Sequence, residues 1–190
     1  MITSLAKVRN RLGLAAGEPA DTMLTDQIQA TQGRFEAELG RKLSRLEGQV
    51  QEFDAGQTCV LLDRYPVEDI TKWEVWEDGV WREEVDVVLA AKLQAGVVSL
   101  NGRLGQPGGV ARVTYTGGFV LPDGGGIGLY PLPTELEAAA VETVAHWYQW
   151  KDKINVNSEG DGTGNYRTIR DAEWVPWVKV VLNKYRRMVL

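Results

Sequence analysis

Apolar positions recur at helical spacing in four stretches of the chain and alternate in the long segment between the second and third. From Glu135 to about Lys151 no Gly or Pro interrupts the run, which predicts one continuous helix. Pro131 and Pro133 enter it, and Thr134 followed by Glu137 has the spacing of a capping box. On a helical wheel Leu136, Ala140, Thr143, Val144, Trp147 and Trp150 share one side, and Val141, Ala145 and Tyr148 carry the apolar surface further round. Glu135, Glu142, His146 and Gln149 leave only a narrow polar strip. A helix this apolar is either central to its own domain or wedged between its own core and a neighbour.

The other helical stretches are narrower. Thr3 to Leu12 places Leu5, Val8 and Leu12 on one face with Gly13 as a stop. A second helix, capped by Asp21 or Thr22, aligns Leu24, Ile28, Thr31, Phe35 and Leu39, and Gly40 stands where a C′ glycine belongs. Pro176 suits the first position of a last helix with Val178, Val181, Leu182, Tyr185 and Val189 on one face. Between Leu46 and Thr116 the texture is β, with strands predicted at Val50–Phe53, Thr58–Leu62, Ile70–Glu77, Val85–Leu89, Val97–Leu100 and Val110–Tyr115. Asp78-Gly79, set between Trp76 and Trp81, is the strongest hairpin signal.

These elements predict an α+β fold: a small helical bundle with an inserted antiparallel β-sheet or small barrel. Residues 1–45 supply N-terminal helices and 46–116 the β-rich insertion. Residues 117–190 supply C-terminal helices that pack with 1–45 as one helical core. Thr116–Tyr130 is a glycine-rich connection, and Asp152–Arg170 is a polar loop of the kind that orders only on assembly.

Composition adds exclusions. The chain has 190 residues, 44 % of them hydrophobic and 25 % charged, with a net charge of −5. That is an ordinary globular composition, and the acid excess opposes a general affinity for DNA phosphates. No secretory h-region opens the chain and no run reaches the length of a membrane span, which predicts a protein cytoplasmic where it is made. Cys59 stands alone in an apolar run and reads as a small strand residue; a catalytic pair with His146 lacks any sign of an activated thiolate. His146 has no second His or Cys at metal-ligand spacing. Gly124–Gly128 lacks the Gly-Lys-Ser/Thr of a phosphate loop, and the calcium-like run from Asn155 ends on Tyr166 where a Glu is needed. Seven tryptophans raise a nucleic-acid-binding module on the aromatic β segment as the alternative, yet Lys and Arg are not interleaved with them. No catalytic residue, metal site or cofactor is predicted.

In order along the chain come Phe35-Glu-Ala-Glu-Leu-Gly-Arg41, Leu62-Asp-Arg-Tyr-Pro-Val-Glu-Asp-Ile70, Val113-Thr-Tyr-Thr-Gly-Gly-Phe119, the Ala145-His-Trp-Tyr148 helix and Tyr185-Arg-Arg187. In this order they resemble the head-tail connector (head-completion or adaptor) proteins of long-tailed bacteriophages and gene-transfer particles. The resemblance implies a non-enzymatic virion protein at the head-tail interface. It implies a ring, usually of twelve copies, seated under the portal protein, which continues the DNA channel without binding DNA specifically and receives a stopper or tail-completion protein. With that role, the expected subunit interface is Leu136, Val141, Trp147, Tyr148 and Trp150. The expected portal-binding set is Trp177, Tyr185, Arg186, Arg187 and Met188, an apolar face with a cationic end.

Overall fold

The computed structural model describes residues 1–17, 20–84, 89–92, 95–124, 126–151, 158–160, 166–168 and 174–187. Its contacts divide the chain into two compact units, one of residues 1–35 with 133–185 and one of 36–132 with 186–190.

The first unit is helical. Helix α1 (Leu5–Leu12) is capped by Ser4, whose hydroxyl accepts from the Lys7 N–H, and it ends at Gly13 with φ 71°. The Leu14 N–H then returns to the Arg9 carbonyl at 3.0 Å, which satisfies an otherwise orphaned acceptor. Helix α2 (Ala20–Leu39) starts one residue ahead of the expected caps, so Asp21 lies in its first turn and pairs with Arg9. Leu24, Ile28, Thr31, Phe35 and Leu39 are all fully buried, as the spacing predicts. Helix α3 (Thr134–Trp150) and helix α4 (Pro176–Tyr185, with Val178 and Leu182 buried) complete the described helices.

The second unit is built on β-sheets. Strands β1 (Leu46–Asp54), β2 (Cys59–Leu61), β3 (Val67–Glu77), β4 (Val80–Glu83), β5 (Leu89–Lys92), β6 (Val97–Leu100) and β7 (Val110–Gly117) follow in chain order. They form an antiparallel four-stranded sheet, β1-β7-β3-β4, and a three-stranded sheet, β2-β6-β5. Among the described residues neither sheet closes, so the barrel option gives way to open sheets. The Asp78-Gly79 turn forms as expected, with φ 52° and 81° between the paired Glu77 and Val80. Along β7 burial alternates: Ala111, Val113 and Tyr115 face a core shared with Val60, Leu62, Trp73, Val75 and Val98, while Val110, Arg112 and Thr114 face outward.

Of the expected strand Val85–Leu89 only Leu89 is described, and it opens β5. Of the polar loop Asp152–Arg170 the described parts are β8 (Ser158–Gly160) and β9 (Tyr166–Thr168), which pair antiparallel. The rest of that loop, including the calcium-like run at Asn155–Asn157, lies outside the described residues, as do Met188 and Val189.

Candidate interaction surfaces

Helix α3 begins differently from its sequence signature. Pro133 is its N-cap, with ψ 132° and no side-chain cap bond, so Thr134 is already helical and no capping box forms. Glu137 turns into the helical unit, where it is buried, takes the Lys7 ammonium at 2.6 Å and accepts from the Thr3 hydroxyl at 3.4 Å. Near-complete burial of a carboxylate is tolerated because both partners reach it. The two glutamates of the polar strip are likewise bound within the unit. Glu142 pairs with Arg11, and Glu135 takes Lys184 at 2.7 Å. That ammonium holds the Glu135 carboxyl below its ordinary range.

The expected subunit-interface set divides in two. Leu136 is fully buried beside Ala139, Ala140, Thr143 and Val144, so it has no surface to offer a neighbour. Trp147 is half-buried against Trp174, 6.4 Å between ring centroids, and carries the Arg34 guanidinium 4.5 Å over its ring. Trp150 leans on His146 at 5.6 Å. Val141 and Tyr148 are half-buried on the flank of the buried face, in the helical stripe of Glu137 and Ala145. There Val141 lines an open groove of about 390 Å³ with Lys7, Thr134, Glu137, Ala138, Glu142 and Trp177. Val141 and Trp177, expected to serve different partners, thus meet in one depression.

The expected portal-binding set also breaks up. Trp177 is 41 % exposed, and Val180, which the sequence reading passed over, is 69 % exposed beside it. Tyr185 donates its hydroxyl to Glu135 at 3.3 Å. Arg187 is committed within the second unit: its backbone N–H bonds to the Leu39 carbonyl, and its guanidinium to Asp63 at 2.8 Å and the Leu61 carbonyl at 3.1 Å. Arg186 is exposed, and Met188 lies outside the described residues.

Three of the phrases that carried the resemblance, those around Arg41, Arg64–Pro66 and Tyr115–Phe119, meet in one structural joint of the second unit. Tyr115 hydroxyl accepts from the Arg64 N–H at 3.1 Å, and the Gly118 N–H donates to the Pro66 carbonyl at 2.8 Å. The Phe119 N–H donates to Leu43, and Arg45 donates back to Phe119. Arg41 is buried with its guanidinium 3.8 Å over the Tyr65 ring and 5.0 Å from Phe119. A Cβ on Gly117 would sit 2.5 Å from the Arg64 carbonyl oxygen, and one on Gly118 2.6 Å from that of Ser44. These residues are therefore spoken for by the fold.

The outward face of the four-stranded sheet is the surface that sequence reasoning underrated. Trp76 and Trp81, directly paired across β3 and β4, meet edge-on at 5.1 Å, and Arg112 lies 4.1 Å over Trp81. Arg112 grips Glu74 at 2.6 and 3.0 Å, and Lys72 adds a third contact at 2.9 Å. Glu74 is buried beneath them, and its carboxyl is held down to about 2, chiefly by Arg112 and next by Lys72. Elsewhere, Ile127 at 93 % exposure tips the glycine-rich connection. That connection is pinned at its base, where Leu129 donates to Glu68, itself clamped by Arg45.

Cys59 is half-buried in β2 of the β unit, and His146 stands on α3 of the helical unit. Among the described residues no three His, Cys, Asp or Glu side chains gather as metal ligands, and no helix is long and apolar enough to cross a membrane. The aromatic sheet offers little to a nucleic acid, since its tryptophans contact each other and two of its cations are bound by Glu74.

Comparison with known proteins places this geometry. No curated protein matches the chain. Its fold is similar to a chain in the neck of an empty gene transfer agent (GTA) particle reconstructed with C6 symmetry, with a TM-score of 0.62 and 18 % identity, covering 98 % of this chain and 90 % of that one. A chain in the neck of the native particle with C12 symmetry gives 0.59 at 16 % identity, covering 98 % and 89 %. One in the virion of the native particle gives 0.58 at 18 %, covering 98 % and 90 %. The model of the family described as "Head completion protein" matches residues 1–188, and the chain belongs to that family.

Proposed function

We propose that this chain is a structural virion protein of the head-tail junction. It forms a ring under the portal, continues the DNA channel and presents a platform to a stopper or tail protein. The family match over residues 1–188 carries the reading. The likeness to neck chains supports it, because those particles were reconstructed with six- and twelve-fold symmetry. An acid excess of five charges suits a channel through which DNA slides without sticking.

A ring needs two different surfaces on each protomer. The exposed Trp177 and Val180, with the half-buried Val141 in the groove that Trp177 also lines, supply apolar area for one of them. Electron microscopy of the protein mixed with its cognate portal tests the proposal. Rings coaxial with the portal are expected; a persistent monomer that ignores the portal overturns it. A salt-sensitive gel shift with single-stranded DNA would instead favour a nucleic-acid-binding module.

A further inference from the structure

The helical unit leaves a groove open along α3. Its lining includes Lys7 from α1, Glu137, Ala138, Val141 and Glu142 on one face of α3, and Trp177 from α4, and its volume is about 390 Å³. Ordinary binding clefts span roughly 300–1,000 Å³, so the space admits a branched side chain with the backbone on either side of it. The charges of the groove are already matched within the unit: Lys7 holds Glu137 at 2.6 Å, and Arg11 holds Glu142. A charged guest would displace one of these pairs, whereas an uncharged apolar one meets Ala138, Val141 and the exposed ring of Trp177.

The β unit carries a projection of matching character. Ile127 and Leu129 are the most exposed large apolar side chains among the described residues, at 93 % and 71 %. From Leu121 to Pro133 the only charged residue is Asp123, and Ile127 stands between Gly126 and Gly128, which add no side-chain bulk beside it. The base of the projection is fixed. Val120 donates its N–H to the Tyr130 carbonyl at 2.8 Å and accepts from the Leu132 N–H at 3.1 Å. The Leu129 N–H donates to Glu68 at 3.0 Å. A Cβ on Gly128 would lie 2.7 Å from Glu68 and from the Arg45 side chain that grips it. An exposed isoleucine on an anchored backbone is preorganised, so docking it releases water from apolar surface at a small cost in ordering.

We infer that Ile127 of one copy, with Leu129 beside it, enters the α3 groove of the next copy and packs on Ala138, Val141 and Trp177. The match in charge supports it: an uncharged tip meets a groove whose charged residues are paired among themselves. A second copy is the occupant because every copy carries both halves, and both stay open within one chain. A portal or stopper protein at either surface would leave the other unmatched. Projection and groove are different surfaces, so the contact is heterologous and repeats from copy to copy until the ring closes. This inference rests on the ring reading and names the surfaces that build it. It joins Val141 and Trp177 in one contact between copies, in place of one contact to a copy and another to the portal.

The test uses full-length chains carrying Cys59→Ser, assembled on the cognate portal. An equal mixture of Ile127→Cys chains and Ala138→Cys chains, oxidised and run without reductant, should give a disulfide-linked dimer that neither chain gives alone. A chain with both substitutions should give a ladder of multimers. A cross-linked monomer in its place would put the loop in its own groove and overturn the inference. Ile127→Asp should lower the ring fraction in electron micrographs about tenfold or more, since it carries a carboxylate into an apolar groove, and Ile127→Leu should keep it. The melting temperature of Ile127→Asp should match the wild type, because the side chain is exposed in the free chain. A wild-type ring fraction from Ile127→Asp, with no cross-link in the mixture, would overturn the contact and leave the ring reading standing. Ile127→Asp rings that no longer hold the portal would also overturn it, and would give the loop to the portal. No ring from the wild-type chain would remove both readings.

Discussion

The helical unit and the β unit hold themselves together by opposite arrangements of polar and apolar groups. In the helical unit the centre is apolar: Leu24, Ile28, Phe35, Leu136, Val144 and Leu182 are fully buried or nearly so. Three of its ion pairs, Arg9–Asp21, Arg11–Glu142 and Lys184–Glu135, sit at the margins, and its one buried carboxylate among the described residues, Glu137, is held by Lys7 and Thr3. In the β unit polar and cationic groups enter the structure itself. Gln51 accepts from the Asp63 N–H and the Tyr115 hydroxyl, Arg41 lies under two aromatic rings, and Glu74 is buried beneath Arg112. Helices satisfy their own backbones, so apolar stripes suffice to join them. Strands connected by irregular segments leave N–H and C=O groups that need specific partners. The helical unit should therefore tolerate a loss of fit better than the β unit tolerates a loss of geometry.

The largest effect is expected where geometry is tightest. Gly118 has φ 101°, and a methyl there meets the Ser44 carbonyl oxygen at 2.6 Å. Gly118→Ala should cost about 3–5 kcal/mol in urea unfolding, with hydrogen-exchange protection lost first in β1 and β7. Equal loss in α2 and α3 would erase the contrast between the units. Leu136→Ala should cost about 2–4 kcal/mol through a cavity in the helical unit, with β7 protection retained. Crystals or exchange data showing that the helices collapse onto the gap at less than about 1 kcal/mol would sharpen the contrast further.

The smallest effect concerns charge. The Glu74 carboxyl sits at about 2 in the folded chain against an ordinary 4.5. The folded value is the lower one, so its network contributes stability that is present above about 4.5 and lost as pH falls toward 2. Glu74→Gln should flatten the acid limb of the stability profile between those values. An unchanged limb would show that Arg112 and Lys72 do not hold the carboxylate ionised.

Much of the helical unit was legible in the chain because 3.6-residue periodicity is local. The five buried positions of α2, the stop at Gly13 and the Asp78-Gly79 turn all follow from neighbours a few residues apart. The capping box at Thr134 misled because Glu137 had a better partner in Lys7, 130 residues away. Leu136 of the interface set on α3 is covered for a related reason. The wheel shows that a face is apolar, but which apolar residues are already covered depends on what α1, α2 and α4 bring to it. Val180 was passed over because it reads as one more valine in a helix, and only the packing of Val178 and Leu182 turns it outward.

Local spacing, then, determined the helices, the hairpin and the α+β class, together with the phrases that mark the family. Tertiary structure alone decided the strand order β1-β7-β3-β4, the clamp of Arg187 on Leu61 and Asp63, and the burial of Glu74. It also decided that Arg41, Arg64–Pro66 and Tyr115–Phe119 build a joint in the β unit, while Trp177 and Trp76 stay exposed. Those outcomes depend on pairings between residues tens of positions apart, and no local pattern of apolar and polar residues encodes which distant partner a given side chain will find.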